Sequence, residues 1–370
     1  MQGYCLMSFR KARSWPARLR VWLPLLAVAL LVGACGGPFP QSTLIPKGDF
    51  AAMVDEVFFT TVRWAVLVFV LVEGALLYAI FRFRGKPGDS EPEQTHGNTT
   101  VEVIWTIIPA AILAFIAVPT VRTIFRTSEI PAGAMEVEVI GHQWWWEFRY
   151  PEQQIVTANE MHVPAGRTVL MKIRTADVLH SFWVPQFAAK RDAFPGKYNT
   201  LYFKTDSLGS FTGQCAEFCG TQHGRMGSLV VVQTPEEFDR WVATQQVGSP
   251  LINGGKVAVA DSAAPADTAA RAEDPVIARG RETFVTGGCI GCHAMVGQPT
   301  AGILGLAGPN LSHVGSRQRL AAGMLTNTDE HLARWLRDPN AVKEGTLMKL
   351  PRQLTEEEIS ALVAYLRSHQ

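Results

Sequence analysis

The chain is 370 residues long, enough for two or more domains of ordinary size. With 34 Lys+Arg against 33 Asp+Glu, its net charge is +1, which argues against nucleic acid as its main partner. Charged residues make up only 18% of it, below the roughly 25% of a soluble globular protein, and that shortfall points to membrane segments. Six cysteines fall as two strays, Cys5 and Cys35, and two close pairs, Cys215/Cys219 and Cys289/Cys292. Close pairs beside histidines argue for metal or haem rather than disulfides.

Residues 10–20 read RKARSWPARLR, with five basic charges and no acid, and an apolar run follows from Val21 to Val32. Basic, then apolar, then small residues is the order of a secretory signal. The small residues Val32-Gly33-Ala34 stand directly before Cys35 and resemble a bacterial lipobox, which implies lipidation of Cys35 as the mature N-terminus. Residues 1–35 are therefore expected to be a lipoprotein-type signal peptide, with Cys5 discarded.

Residues 36–125 read as a membrane hairpin with spans at about 61–81 and 103–121, each close to the roughly 20 apolar residues a spanning helix needs. Pro109 and Pro119 are tolerable in the second span, because neighbouring helices can satisfy the freed carbonyls. Arg82, Arg84 and Lys86 open the connection and place it inside. Both ends of the hairpin, and everything after about Arg122, then lie outside. Glu73 sits within the first span and is read as facing a partner helix. Thr99 and Glu102, at the start of the second span, fit a capping box.

From about Met135 the pattern becomes β. Met135–Ile140 and Val169–Arg174 alternate, Leu201–Lys204 and Leu229–Val232 are strand-like, and Pro164, Gly166, Pro195 and Gly196 punctuate them. Short strands with such turns imply a sandwich or barrel over residues 130–243. Its chemistry lies in QCAEFCGTQHGRM, residues 214–226. Cys219, His223 and Met226 follow C-x3-H-x2-M, and His180 can complete the set from another strand end. A thiolate, two imidazoles and a thioether suit an electron-transfer copper. The second thiolate, Cys215, permits two coppers bridged by sulfur. A zinc site would use Cys2His2 but leave Met226 idle, and a thioredoxin-type copper chaperone would need a βαβ context that the sequence lacks.

This loop, the preceding Gly141-His-Gln-Trp-Trp-Trp146 and the two apolar spans resemble cytochrome c oxidase subunit II over roughly residues 50–240. The resemblance implies a cupredoxin-like β-barrel holding the dinuclear CuA centre. Its ligands would be His180, Cys215, Cys219, His223, Met226 and the backbone carbonyl of Glu217. The Glu217 side chain would reach a magnesium at the interface with the catalytic subunit. Trp144 would be where electrons enter, while Trp145 and Trp146 are read as packing residues. Glu102, within Val101–Pro109, would lie at the mouth of a proton-uptake path in the neighbouring subunit.

Residues 244–274 are rich in Ala, Gly, Ser and Asp, lack aromatics, and read as a flexible linker. About 30 such residues reach roughly 30 Å. Asp274-Pro275 then starts a helix that ends near Gly287-Gly288. Cys289-Ile-Gly-Cys292-His293 is a c-type haem attachment signature, with His293 as an axial ligand. The sixth ligand should be a downstream Met or His, from Met324, Met348, His313 and His331. Thr355–Glu358 caps a final helix with Ile359, Leu362, Val363 and Leu366 on one face. Residues 275–370, with Gly308-Pro-Asn-Leu311, resemble an all-α class I cytochrome c, which implies Met348 as the axial methionine. Lys349 stands where many relatives have proline.

The whole arrangement resembles the subunit II of bacterial caa-type oxidases. It implies the electron-input subunit of a proton-translocating terminal oxidase, passing electrons from haem c to CuA and on to the haems of subunit I, where oxygen is reduced. The implied partners are subunits I and III, membrane lipid, and a donor cytochrome or quinol-oxidising complex. The implied location is the bacterial inner membrane, with the copper and haem domains on its outer face. Two rivals are the corresponding subunit of a CuA-type nitric oxide reductase and a copper carrier or assembly factor. Residues 130–243 carry 10 basic and 12 acidic residues and residues 275–370 carry 10 and 8, so the two modules are weakly complementary at −2 and +2.

Overall fold

The computed structural model describes residues 26, 30, 33, 39–85, 88, 90, 94, 96–246, 250–253, 256–259, 274–295 and 308–370. Cys5, Cys35 and nearly all of the expected signal segment lie outside the described residues. The chain divides into residues 1–40 and residues 41–370, and the second unit holds every helix and strand from Asp49 onward.

Helices α1 (Asp49–Arg82) and α2 (Thr99–Ser128) form the hairpin, joined near its middle by Trp64 stacked on Phe115 at 6.1 Å. Each contains an 18-residue window of mean hydropathy 2.3 with none of it buried. At about 1.5 Å per residue, 34 and 30 residues give helices of about 51 and 45 Å, longer than a hydrocarbon core of about 30 Å. Both therefore exceed the expected spans. The surplus is used at the outer ends, which are tied to the β domain. The Asp49 carboxylate accepts from the Lys204 amide at 2.7 Å, the Thr205 hydroxyl donates to the Lys47 carbonyl at 2.6 Å, and the Tyr202 hydroxyl donates to the Arg126 carbonyl at 2.9 Å. Phe50 joins the β-domain core. The start of α1 and the end of α2 thus share one side, and the Arg82–Arg84 end lies at the other.

The expected capping box at Thr99 is corrected. Asn98 is the N-cap, its side chain accepting from the amides of Thr100 and Val101 at 3.1 and 3.3 Å. An Asn side chain in this position satisfies two orphan amides by itself. Glu102 is left one position too far along, and its carboxylate lies over Gly97 instead.

The β domain is two five-stranded sheets packed face to face. One has the order β3-β2-β1-β5-β8, from Ile155–Ala158, Trp145–Tyr150, Met135–His142, Val169–Thr175 and Asn199–Phe203. The other has the order β4-β10-β9-β6-β7, from Glu160–Pro164, Gly227–Gln233, Gly209–Cys215, His180–Trp183 and Arg191–Ala193. Period-2 alternation in β1 turns Met135, Val137 and Val139 into the core, where all three are fully buried. Trp146 is fully buried against Phe182 at 5.0 Å, and Trp145 is buried and stacked on His142 at 4.2 Å. Both pack, as expected of them.

Helix α3 (Pro235–Gln246) closes the domain, its Trp241 stacked on His162 at 4.4 Å. It runs three residues into the segment expected to be a linker. Pro250–Asn253 (β11) then pairs antiparallel with Lys256–Val259 (β12). The linker expectation is corrected at 250–259: Leu251-Ile252 and Val257-Ala258-Val259 flank Asn253-Gly254-Gly255, a hairpin signal that average composition conceals. Residues 260–273 lie outside the described residues.

The last module packs α4 (Pro275–Thr286) across α7 (Glu356–Ser368), with α5 (Asp329–Arg337) and α6 (Pro339–Val342) beside them. The crossing is close because of Gly280, where a Cβ would collide with the Ala361 carbonyl oxygen. Asp274 caps α4 through the Val276 amide at 2.8 Å. The Thr355/Glu358 capping box is present in both directions, at 3.2 and 2.9 Å. A two-residue ladder, β13 (Arg319–Leu320) with β14 (Leu325–Thr326), is the one addition to an otherwise helical module among the described residues.

Candidate metal centre

Three strand ends converge at one end of the sandwich. Cys215 ends β9, His180 starts β6, and Met226 stands just before β10. The Cys215 amide donates to the Met226 carbonyl at 2.9 Å, closing the loop so that its two ends lie opposite each other. The Ala216 amide donates to the Ser181 carbonyl at 2.9 Å and holds the loop against β6.

The two sulfurs of Cys215 and Cys219 stand 3.7 Å apart, and both cysteines are free. A disulfide needs about 2.05 Å. Around them, His180 Nδ1 lies 3.8 Å from Cys215 Sγ, His223 Nδ1 lies 3.7 Å from Cys219 Sγ, and Met226 Sδ lies 3.9 Å from Cys219 Sγ. The Glu217 carbonyl oxygen lies 3.3 Å from Cys215 Sγ. The donor atoms of His180, Cys215 and Cys219 all fall within 4.8 Å of one another. Every residue expected at this site from the sequence is therefore gathered around one small volume.

Electrostatics prepare the cage for cations. The Cys219 thiol donates to Cys215 and, against the cost of burial, helps hold the Cys215 sulfur down at about 3 as a thiolate, with His180 assisting. The same bond keeps the Cys219 proton in place and raises that thiol. Burial pulls His180 down, but the Asp177 carboxylate and the Cys215 sulfur together lift it above its ordinary value. Two soft sulfurs, two imidazoles, a thioether and one carbonyl oxygen form a donor set that fits soft metals and can accommodate two of them. A single tetrahedral zinc would leave Met226, buried in the cage, without a role.

A supporting shell adds Asp177 and the Gln143 side chain, neither of them a site residue expected from sequence, to Trp144, which is one. Asp177 accepts from His180 Nε2 at 2.8 Å, which leaves Nδ1 facing the sulfurs. It also accepts from the Gln143 and Val178 amides at 2.6 and 2.7 Å. The Gln143 side-chain amide and the Trp144 indole N–H both donate to the Cys219 carbonyl, at 2.9 and 3.0 Å. The D-x-x-H spacing is the sequence signal of Asp177, and Gln143 and Trp144 stand within Gly141–Trp146. Trp144 is half-buried against the loop.

Glu217 is half-buried, and its carboxylate makes no ion pair among the described residues. A cavity of about 530 Å³, lined by Ala51, Val54, Phe58, Trp183, Cys215 and His223, opens between α1 and the loop.

In the last module, Cys289 and Cys292 lie on one short turn, the Cys292 and His293 amides both donating to the Cys289 carbonyl at 3.1 and 3.0 Å. Cys289 is half-buried and Cys292 exposed, and neither is in a disulfide. His293 Nδ1 donates to the Pro309 carbonyl at 2.8 Å, which frees Nε2. Burial lowers the His293 pKa, so the ring is held neutral, as an iron ligand must be. A Cβ at Gly308 would stand 2.5 Å from His293 Cε1, so the Gly308-Pro309 pair cradles the ring. Two adjacent thiols and an oriented neutral imidazole fit covalent haem attachment. His313 is excluded as the second axial ligand because both its nitrogens face carbonyls, of Gln370 at 3.0 Å and Gln245 at 3.1 Å. His331 Nδ1 is bonded to the Thr326 carbonyl at 2.9 Å. Met348 is half-buried against the same core cluster as Cys289 and Ile290.

Three family models match in sequence. Cytochrome C oxidase subunit II, transmembrane domain, matches residues 48–123; cytochrome C oxidase subunit II, periplasmic domain, matches 152–234; and cytochrome c matches 277–370. Cytochrome c oxidase subunit 2 of Alkalihalophilus pseudofirmus is 34% identical over 354 residues, covering 94% of this chain and 96% of that one. The chain belongs to the cytochrome c oxidase subunit II family. The protein of the same name from Bacillus sp. strain PS3 is 36% identical over 358 residues, 92% of this chain and 94% of its own length. The periplasmic domain of subunit II of cytochrome oxidase from Bradyrhizobium japonicum, known as a crystal structure, is 32% identical over 32% of this chain and 98% of its own, with a TM-score of 0.32.

This subunit II carries a C-terminal cytochrome c domain and is part of an oxidoreductase complex. It binds copper in the β domain and haem c in the last module. Two apolar helices anchor it with its β domain on the outer face, and it partners oxidase subunit I.

Proposed function

We propose that this subunit II takes single electrons on its cytochrome module and passes them through its copper module to the haems of subunit I, in an oxidase that reduces oxygen to water and translocates protons. The observation that carries the reading is the preformed cage of His180, Cys215, Cys219, His223 and Met226, with the Trp144 indole hydrogen-bonded to the Cys219 carbonyl on its wall. Haem c and a dinuclear copper centre supply reversible one-electron chemistry when bound.

The residues have distinct tasks. Cys289 and Cys292 would tether the haem, and His293 and Met348 would ligate its iron. His180, Cys215, Cys219, His223, Met226 and the Glu217 carbonyl hold the copper pair. Asp177 keeps His180 in the tautomer that presents Nδ1, and Trp144 is the contact through which electrons enter. The Glu217 carboxylate, without an ion pair among the described residues, holds a magnesium at the subunit I interface, so one residue serves two metals through different oxygens. Glu102, on the inner end of α2, feeds a proton-uptake path in subunit I. Subunit III, membrane lipid and a donor cytochrome or quinol-oxidising complex complete the assembly in the bacterial inner membrane, with Cys35 as the lipid anchor.

Purification of the native complex tests the reading. Its optical and paramagnetic spectra should show a low-spin c-type haem and a mixed-valence copper pair, and the complex should turn over oxygen. Turnover of nitric oxide without oxygen would overturn the assignment. Glu102→Gln should slow turnover and proton release, and undiminished rates would remove Glu102 from the path.

A further inference from the structure

The cytochrome module touches the copper site near Cys219, His223 and Met226. Lys343, 4% exposed, donates its ammonium to the Trp144 carbonyl at 3.0 Å, and Trp144 in turn donates to the Cys219 carbonyl. Two residues on, Gly345 has a φ of +82°, and a Cβ there would stand 3.0 Å from Thr221 Cγ2, two positions before His223. On the other side, Gly227, next to Met226, donates its amide to the Ala322 carbonyl at 3.0 Å. Ala321, Ala322 and Gly323 all have positive φ, of 52°, 58° and 90°. Non-glycine residues held there cost on the order of 1–3 kcal/mol each and persist only where the surroundings demand it. The demand is visible: that turn presses Ala322 into a small apolar cluster with Trp145 and Ala158.

Buried charge fixes the register of the seam. Glu160, 2% exposed, accepts from the Arg319 amide at 2.7 Å and faces the half-buried Arg317 side chain. His313, already excluded as a haem ligand, serves the seam instead by meeting the Gln245 carbonyl at the end of α3. Lys343 lies five residues before Met348 on the same stretch of chain. One short segment thus links the loop that reaches the haem iron to the wall of the copper cage.

From these contacts we propose that Lys343 is a positioning residue for electron transfer between the modules, holding the cytochrome module in register on the copper loop through the Trp144 carbonyl. The proposal rests on the electron-input reading above. In the step it serves, one electron moves: ferrous haem becomes ferric as the oxidised copper pair is reduced, with no bond or proton exchanged. The seam covers the Trp144 carbonyl with the chain's own cytochrome, so a separate donor delivers to the haem and not to the copper.

The test uses the complete oxidase complex. Haem reoxidation and copper reduction are followed after flash reduction of the haem, together with hydrogen exchange over residues 221–227 and 319–323. Lys343→Met should slow the first-order transfer on the order of tenfold, as misplacing a reacting pair does. Exchange at both segments should rise, while the haem and copper spectra and potentials stay unchanged. Lys343→Arg should restore most of the rate. A wild-type rate in Lys343→Met, or a slowed rate with unchanged exchange, overturns the proposal. Should Lys343→Met lose either cofactor's spectrum, Thr221→Arg, which adds bulk against Gly345 from the copper side, is measured in its place with the same two criteria. Absence of first-order transfer in the wild type would instead overturn the electron-input reading, and the exchange result would then decide the contact by itself.

Discussion

In the copper module the sulfur and nitrogen donors already stand 3.7–3.9 Å from one another, whereas in the cytochrome module one axial ligand is oriented and the other, Met348, rests half-buried on an irregular segment. The difference lies in how much of each core the cofactor must supply. The copper cage sits at one end of two packed sheets whose core runs from Phe50 to Phe238, with Trp146, Phe148 and Phe182 fully buried. That core is complete without metal. The cytochrome module has a smaller cluster around Phe284, Leu332 and Leu362 among its described residues, and a haem would supply much of the apolar mass such a short chain lacks. One module is a scaffold that holds metal, and the other is a shell that needs its cofactor to be a core.

The largest test of that contrast removes each cofactor in turn. Cys289→Ala with Cys292→Ala should abolish covalent haem and leave the last module without cooperative unfolding, read by calorimetry on the full chain. Cys215→Ser with Cys219→Ser should abolish the copper spectrum yet leave the unfolding of the β domain nearly unchanged. Equal losses of stability in the two modules would break the comparison.

Acid should act next, and on the scaffold. His162 is half-buried, stacked on Trp241 and bonded to Gln233 at 3.0 Å; desolvation lowers its pKa to about 4. The unfolded chain takes up this proton near pH 6.5 and the folded chain only near 4. Stability is thus full above pH 6.5 and is lost as pH falls from 6.5 to 4, by about 3 kcal/mol at about 1.36 kcal/mol per unit. His162→Gln should flatten that slope in denaturant unfolding at a series of pH values.

Asp177→Asn sharpens the comparison at the cage itself. Losing the carboxylate behind His180 should weaken copper affinity about 10- to 100-fold, measured by competition with a chelator, with the haem spectrum untouched. The smallest effect is expected at Thr355→Ala, which removes one side of the capping box and should cost the cytochrome module about 1 kcal/mol in thermal unfolding.

Chemistry carried by neighbours in sequence was legible from residues alone. C-x3-C-x3-H-x2-M and C-x-x-C-H hold their donors on single loops, so local spacing already places them together. The apolar spans, the β alternation from Met135 and the Thr355/Glu358 cap were legible for the same reason. Composition misled where a pattern was brief, as in the hairpin at 250–259, and where two caps competed, as at Asn98 and Thr99.

What the sequence by itself determined is the set of local devices: two spanning helices, a sandwich, a copper loop and a haem turn, each encoded by periodicity or by donors a few residues apart. Only the tertiary structure decided what depends on distant residues meeting. It brought Asp177 and Gln143 behind the cage, carried both outer helix ends onto the edge near Tyr202 and Lys204, and set Lys343 against Trp144, 199 positions away. Those contacts are made by backbone carbonyls and single polar side chains. Such groups carry no periodicity and no motif, so their partners become visible only when packing brings them within hydrogen-bond reach.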